Sequence, residues 1–548
     1  MIRILAITVF VLFAISAKAQ IEVIEAVGGA SPVIMKDVTK ISDTSRTKDT
    51  ILAPPSFTYK LQPKQIPVEY VSDTIPAAKL SNEPVAKLYR TYARAGVGNY
   101  ATFYGEFDVM SMRSKNGAWN ANLRHLSASS GPKDVQGDFS GFSQSGINLS
   151  GKRFLKKHTI GGDLGYNRNA VYYYGSVDTT LSFSKKDSRQ RFQLFSAGGE
   201  LQSHLSDSDA INHHFRVDYH HLNDAFKANE DNIRLTGFGH RYIRGKEFVT
   251  AELGIDYNRN ATPTDTAQNT FGWLKPEYHA QNELFDASVG IAIYQGGKGN
   301  TFFYPQASIG VKLFHNLFVP YLQMTGGLSR NSYRSITDLN PYLLSSQSTA
   351  LRFTQRKFDV AAGIRGSVSS NLAYDIRAGR FELVDAPFFV NTFEAQDAGQ
   401  NHFAIVWDTV QVLTVHGQLS WQQRERLNIT ATVDWFQYDM NTQQHPWHTP
   451  TLRMGLTGQY NLRDKIIVRM QAYYLNGQYA RLADSSGTVF TAKLLKGVPD
   501  INIGFEYRYT KFLSVFANFN NLGAQRYYRW YAYPTQRFNV LAGLTFTF

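Results

Sequence analysis

The chain has 548 residues, a formal charge of +13 and no cysteine, which excludes disulfides, cysteine-held metals and a lipid-modified N-terminal cysteine. No apolar run is long enough to cross a bilayer as a helix, so a helical membrane protein is excluded as well. Aromatic residues make up 14% of the chain yet mean hydropathy is only −0.30, a balance that fits a barrel in which lipid-facing and lumen-facing side chains average out.

Residues 1–19 read as a secretory signal peptide. Arg3 gives the positive start, Ile4 to Ile15 the apolar run, and Ala17-Lys18-Ala19 the small-x-small cleavage site. The expected mature chain starts at Gln20, and losing Arg3 and Lys18 takes the formal charge from +13 to +11. Export leaves no nucleic-acid partner, and no basic recognition helix occurs. The remaining excess charge suits anionic headgroups or anionic solutes.

Residues 20–88 form a Pro/Ser/Thr-rich segment with Pro32, Pro54, Pro55, Pro63, Pro67, Pro76 and Pro84. Alternation is weak and no helical face persists, so we expect a periplasmic segment that is partly disordered or fills a lumen.

From Tyr89 to Phe548 apolar and polar residues alternate. Leu427, Ile429, Ala431, Val433 and Trp435 face Asn428, Thr430, Thr432 and Asp434. Ile501, Ile503, Phe505, Tyr507 and Tyr509 face Asp500, Asn502, Gly504, Glu506 and Arg508. Successive strand residues point to opposite faces, so one face is greasy and the other carries Gly, Thr and charges of both signs. A watery lumen accepts that second face and a sandwich core does not. Short polar links recur at Ser114–Gly117, Phe154–Lys157, Leu205–Ala210, Arg244–Lys246, Gln281–Leu284, Phe314–Asn316, Ser369–Asn371, Gln422–Arg426, Asn461–Asp464 and Thr510–Phe512. Longer links fall between them, at Asn167–Ser188, Asn331–Gln355, Asp385–Asn401, Asp439–His448 and Asp484–Ala492. This is the asymmetry of periplasmic turns against extracellular loops. Ten short turns separate eleven hairpins, which predicts an all-β transmembrane antiparallel barrel of about 22 strands; 20 is the count if the first hairpin, at Gly98-Asn99-Tyr100, is absent.

Catalytic constellations are missing. His214 and His220 share a strand face but lie about 20 Å apart, beyond joint coordination of one metal. His445 and His448 share a loop with no carboxylate pair to complete a site. No Gly-x-Ser-x-Gly elbow, Walker loop or His-Glu-x-x-His helix occurs. We therefore expect no enzyme, no cofactor and no metal. The lumen-facing pairs Asp359/Arg365, Asp375/Arg377 and Glu506/Arg508 suit either a solvated wall or a hold on something filling the lumen.

The loop Tyr527-Tyr528-Arg529-Trp530-Tyr531-Ala532-Tyr533 has the densest aromatic content. Its rings and Arg529 suit either stacking on a ligand or a girdle at the outer headgroups. The last strand follows, with Phe538, Val540, Leu544, Phe546 and the terminal Phe548 on one apolar face. That is the strand that must pair with the first to close a barrel.

This ending resembles the TonB-dependent receptor family. The likeness is sharpest at Asn520-Asn521-Leu522, Tyr527-Tyr528 and Tyr533-Pro534, before FNVLAGLTFTF, and Tyr507–Lys511 is similar to the family's final periplasmic turn. It covers about Lys493 to Phe548; upstream, strand rhythm alone carries it. The resemblance implies uptake of a bound solute across the outer membrane. It also implies a folded N-terminal plug, and residues 20–88 are too short and lack its Gly/Arg-rich patterning, so TonB coupling is not carried over. Ile21 to Ala26 only loosely match the family's coupling box. The alternative is a sealed barrel serving as scaffold or subunit of an outer-membrane complex. Expected partners are outer-membrane lipid and lipopolysaccharide, the barrel-assembly machinery and, for the scaffold, another outer-membrane protein or lipoprotein.

Overall fold

The structure, a computed structural model, describes residues 89–548 apart from 133–134, 136–138, 176–183, 208–209, 315, 393–401 and 484–488. The signal peptide, the segment 20–88 and the question of a plug lie outside the described residues. Among the described residues 22 strands form one antiparallel sheet, from Thr91–Gly98 to Asn539–Thr547, and each pairs with its neighbours in chain order. The first hairpin, Thr91–Gly98 with Thr102–Met110, is present, so the count is 22. The sheet closes on itself because Thr91–Gly98 also pairs with Asn539–Thr547, Ala93 opposite Phe546 and Ala95 opposite Leu544.

Three features make this seam. Thr91 and Phe548 exchange backbone hydrogen bonds of 2.7 and 3.0 Å at the end where the chain enters and leaves the barrel. At the other end the Asn99 amide donates to the Phe538 carbonyl at 2.8 Å and its oxygen accepts from the Val540 N–H at 2.9 Å. Between them Gly96 faces Gly543, and a Cβ on Gly543 would lie 1.9 Å from the Ala95 carbonyl oxygen.

The two faces of the sheet invert the order of a water-soluble protein. Along the strand Glu247–Ala261, Leu253 and Ile255 are 50% and 53% exposed, while Asp256 and Asn258 are 0% and 1% exposed. The same parity runs through Phe403–Gln423, where Leu413, Val415, Leu419 and Trp421 point outward. An apolar skin this extensive is costly in water and costs nothing in hydrocarbon. The interior pairs its charges: Arg234 and Arg330 both reach Asp256, at 2.7 and 2.6 Å, and Arg469 reaches Glu506 at 3.1 Å. Of the three lumen pairs expected, Glu506 meets Arg508 at 3.7 Å, whereas Asp359 meets Arg356 at 3.4 Å and Asp375 accepts from the Tyr321 hydroxyl at 2.8 Å.

All ten short links fall where the sequence places them, together at one end. Several long links begin or end elsewhere. The strand Leu372–Asn391 runs through the expected start at Asp385, absorbing it in a bulge between Leu383 and Ala386 with Asp385 at φ 55°. The first long loop likewise starts only after Tyr172, and the second turns back before the strand Phe353–Ser369. The link 476–497 carries its own hairpin, Gln478–Ala483 with Phe490–Leu495; residues 484–488 of the expected loop lie outside the described residues, as do 393–401.

Candidate functional site: a cross-piece over the loop end

The link 331–352 holds a helix, Tyr333–Leu339, that folds against the inner wall. Ser332 caps it: its side chain accepts from the Ser335 N–H, and the Ser335 hydroxyl completes the reciprocal box. A second anchor comes from the wall. Glu230, fully buried, accepts from the Tyr333 N–H at 2.5 Å and the Arg334 N–H at 3.3 Å, so a carboxylate meets the N–H groups that the first turn leaves unpaired. His220 holds the other oxygen of Glu230 at 2.7 Å.

Asp224 supplies the second latch. Its Oδ2 accepts from the Tyr333 hydroxyl at 2.7 Å, from the Gln190 amide at 3.0 Å and from the Ser345 hydroxyl. Its Oδ1 accepts from the Phe226 and Ala228 N–H groups, which fixes the link between Asn212–Asn223 and Asn229–Arg244. Burial pushes the Tyr333 hydroxyl well above its ordinary value, with the charge of Asp224 adding to the shift, so the phenol stays a donor.

Apolar packing joins these anchors into one body. The cluster contains Phe192 and Leu222 of the sixth and seventh strands, Tyr333, Ile336 and Leu343 of the link, Phe389, Phe403 and Ile405 of the fifteenth and sixteenth strands, and Trp530 and Tyr533 between the last two. Those three wall sectors lie about a third of the ring apart. Link 331–352 therefore spans the mouth instead of lying along one wall. Tyr333, Ile336 and Leu343 are each at most 1% exposed, and full burial of such side chains contributes roughly 1.5–3 kcal/mol apiece.

The aromatic loop singled out in the sequence belongs to this cross-piece. Tyr533 stacks on Tyr342 with ring centroids 3.7 Å apart and meets Tyr174 edge-on at 5.0 Å. Trp530 sits edge-on to Phe389 and Phe403 at 5.1 and 5.4 Å. Both are buried inside the mouth, away from the outer surface where a girdle would stand. Tyr527 donates to Asp500 at 3.0 Å, and Tyr528 pairs with Pro534 in a short β-bridge. Lys493 lies 5.1 Å from the Tyr531 ring. The Arg529 carbonyl accepts from Gln478 at 2.7 Å while its guanidinium lies 5.5 Å from the Trp530 ring. Burial, and then the nearby charge of Arg453, pull the Arg529 guanidinium down to about 10. Upstream, Asn521 orders the loop by donating to the Gln525 and Gln536 carbonyls and accepting from the Gln525 N–H.

His448 ties a second link into the same body. Its Nδ1 faces the Phe389 carbonyl at 2.9 Å, and its Nε2 accepts the Tyr531 N–H at 3.2 Å, so the ring is neutral with its proton on Nδ1. Burial pushes it down to about 4. His445 instead stacks on Tyr479 at 3.9 Å, and no group of three metal-ligating side chains occurs among the described residues.

Phe538, Leu544, Phe546 and Phe548 are exposed on the outward face of the closing strand, with Val540 among them at intermediate exposure. Asp224, Glu230, Gln190 and Ser345 carry no motif. The one sequence signal was the placement of Asp224 and Glu230 on either side of a short link between two alternating runs.

A closed antiparallel barrel with an apolar skin and loops gathered over one end defines the class by fold. No protein-family model matches the chain, and no curated protein matches it in sequence. Solved structures do. The FrpB iron transporter from Neisseria meningitidis superposes with a TM-score of 0.65 at 8% identity, covering 85% of this chain and 82% of that one. The ferric-catecholate import receptor Fiu from E. coli gives 0.63 at 12%, covering 84% and 82%. The ferripyoverdine receptor of the outer membrane of Pseudomonas aeruginosa gives 0.63 at 11%, covering 85% and 72%. At these identities the likeness is one of fold.

Proposed function

We propose that the chain is an outer-membrane barrel of TonB-dependent-receptor type that takes part in uptake of a small solute, with link 331–352 as the element that must move for the solute to pass. The observation that carries this reading is the cross-piece itself, which bridges three sectors of the wall yet is held by two carboxylates, Asp224 and Glu230, and by aromatic stacking. Discrete latches of this kind can be released, whereas a wall strand cannot leave the ladder. The fold likeness to proteins named as iron and ferric-chelate transporters supports the same reading. Arg453 and Arg529 add a solute class: among the described residues neither meets a carboxylate in an ion pair, and together they suit an anionic solute, such as a ferric chelate.

The scaffold alternative rests on the near-complete burial of Tyr333, Ile336 and Leu343, which also suits a permanent seal. A thermal-shift screen of the intact protein in mild detergent against anionic ferric chelates separates the two. A saturable upward shift that Arg529→Gln abolishes supports uptake. A stoichiometric protein companion on mild purification, with no ligand-dependent shift, supports the scaffold.

A further inference from the structure

Where the strands meet the short turns, the last outward positions around most of the barrel are apolar or aromatic, as at Val368, Ile466, Tyr507 and Phe546. One sector departs from this. Along Phe142–Phe154 the outward parity of Ile147 and Leu149 continues to Arg153; along His158–Tyr172 that of Ile160 and Leu164 begins at His158. In Asn212–Asn223 the outward set Phe215 and Val217 begins at His213, and in Asn229–Arg244 the set Ile233 and Leu235 continues to Arg241, with exposed Ile211 and Ile243 one step further toward the turn. Arg153 and Arg241 are exposed, and the His158 and His213 rings lie 5.4 Å apart.

The adjoining turns extend the charge with exposed Lys156, Lys157, Arg244 and Lys246. Among the described residues none of these six cations forms an ion pair, whereas neighbouring Lys152 turns inward to Glu200 at 2.7 Å. Among the described residues Asp207 and Glu247 are the acids of the same turns, and Glu247 is engaged by the Tyr278 hydroxyl. The balance stays positive, on a surface whose next layer is hydrocarbon-facing side chains. Unpaired cations there are stabilised by phosphate, and a protein partner would leave the flanking apolar residues to lipid.

We propose that Arg153, His158, His213 and Arg241, with Lys156 and Lys157, bind the phosphates of anionic glycerophospholipids in the leaflet bordering the turn end. From Arg153 to Arg241 the sector crosses four strand spacings, roughly 19 Å, room for two phosphate headgroups side by side. The row of Arg153 also holds Ile160 and Leu201, and one outward row beyond it Gly151, Gly162 and Gly199 pair in register, which leaves space for acyl chains above the headgroups. The site stands apart from the cross-piece, at the opposite end of the barrel.

The test is lipid retention by the full-length protein, read by native mass spectrometry from detergent doped with equal phosphatidylglycerol and phosphatidylcholine. The expected result is severalfold more phosphatidylglycerol on the unaltered protein. The variant Arg153→Gln/Lys156→Gln/Lys157→Gln/Arg241→Gln is expected to retain both lipids equally. A control with the same charge loss in another sector, Arg424→Gln/Arg426→Gln/Arg463→Gln/Lys465→Gln, keeps the preference. Heat-modifiable electrophoretic mobility checks that both variants remain folded barrels. Equal loss in both variants, no loss in either, a stronger preference for lipid A, or a change only in self-association of the sector variant would each overturn the proposal.

Discussion

The hydroxyl of Tyr333 donates to Asp224 across 2.7 Å, joining a helix that lies over the barrel mouth to a link between two wall strands 109 residues earlier in the chain. That bond, with the Glu230 carboxylate at the helix N-terminus, decides where link 331–352 rests. Tyr333→Phe keeps the ring's packing and removes the donor, and a hydrogen bond to a charged acceptor is worth about 1.5–3 kcal/mol. The expected outcome is faster amide exchange confined to 331–352, with exchange in the barrel strands unchanged. Unaltered exchange in the link would show that packing alone holds it.

His448 makes docking of the loops pH-dependent. In the folded loop it stays neutral down to about 4, whereas in a released loop it protonates near 6.5. Between those values the released state binds the extra proton, so docking is fully supported above about pH 6.5 and weakens as the pH falls toward 4, by up to about 3 kcal/mol. Limited proteolysis of the loops at pH 7.5 and 5 should show the change, and His448→Gln should flatten the profile. A wild-type profile as flat as the variant's would remove His448 from the account.

Trp530 serves the cross-piece, so its removal should be felt in the loops. Trp530→Ala takes out a ring packed on Phe389, Phe403 and His448, a loss of about 3–5 kcal/mol for a buried aromatic. Protease cuts in 331–352 and 441–451 should appear while the barrel keeps its heat-resistant mobility. A collapse of the barrel itself would place Trp530 in a structural girdle instead.

Closure of the sheet hangs on a residue with no side chain. At Gly543 any Cβ meets the Ala95 carbonyl, while at Gly417, in the strand Phe403–Gln423, nothing lies within 4 Å. Gly543→Val should therefore fail to give a heat-modifiable closed barrel, and Gly417→Ala should fold as wild type. A folded Gly543→Val barrel would mean that the seam can open to admit the side chain.

The wall was legible because it obeys one local rule. Alternation with period two and polar links locate all ten turns and the Gly98-Asn99-Tyr100 hairpin. The strand Leu372–Asn391 escaped that rule because Asp385-Ala386-Pro387 has turn composition, and only the tertiary pairing of Pro387 with Trp407 shows the strand continuing. The cross-piece was illegible for a different reason. Trp530 and Tyr533 announce an aromatic cluster, but their partners Tyr342, Phe389 and Phe403 come from three other segments, and no periodicity links them. Asp224 and Glu230 are single carboxylates whose role exists only once Tyr333 is beside them.

The most direct measurement is single-channel conductance of the full-length protein in a planar bilayer, wild type against Asp224→Ala/Glu230→Ala. If link 331–352 closes the mouth through those two latches, the wild type should pass little current and the double variant should show frequent large openings. Steady large openings in the wild type, or a double variant as silent as the wild type, would contradict the cross-piece as the closing element.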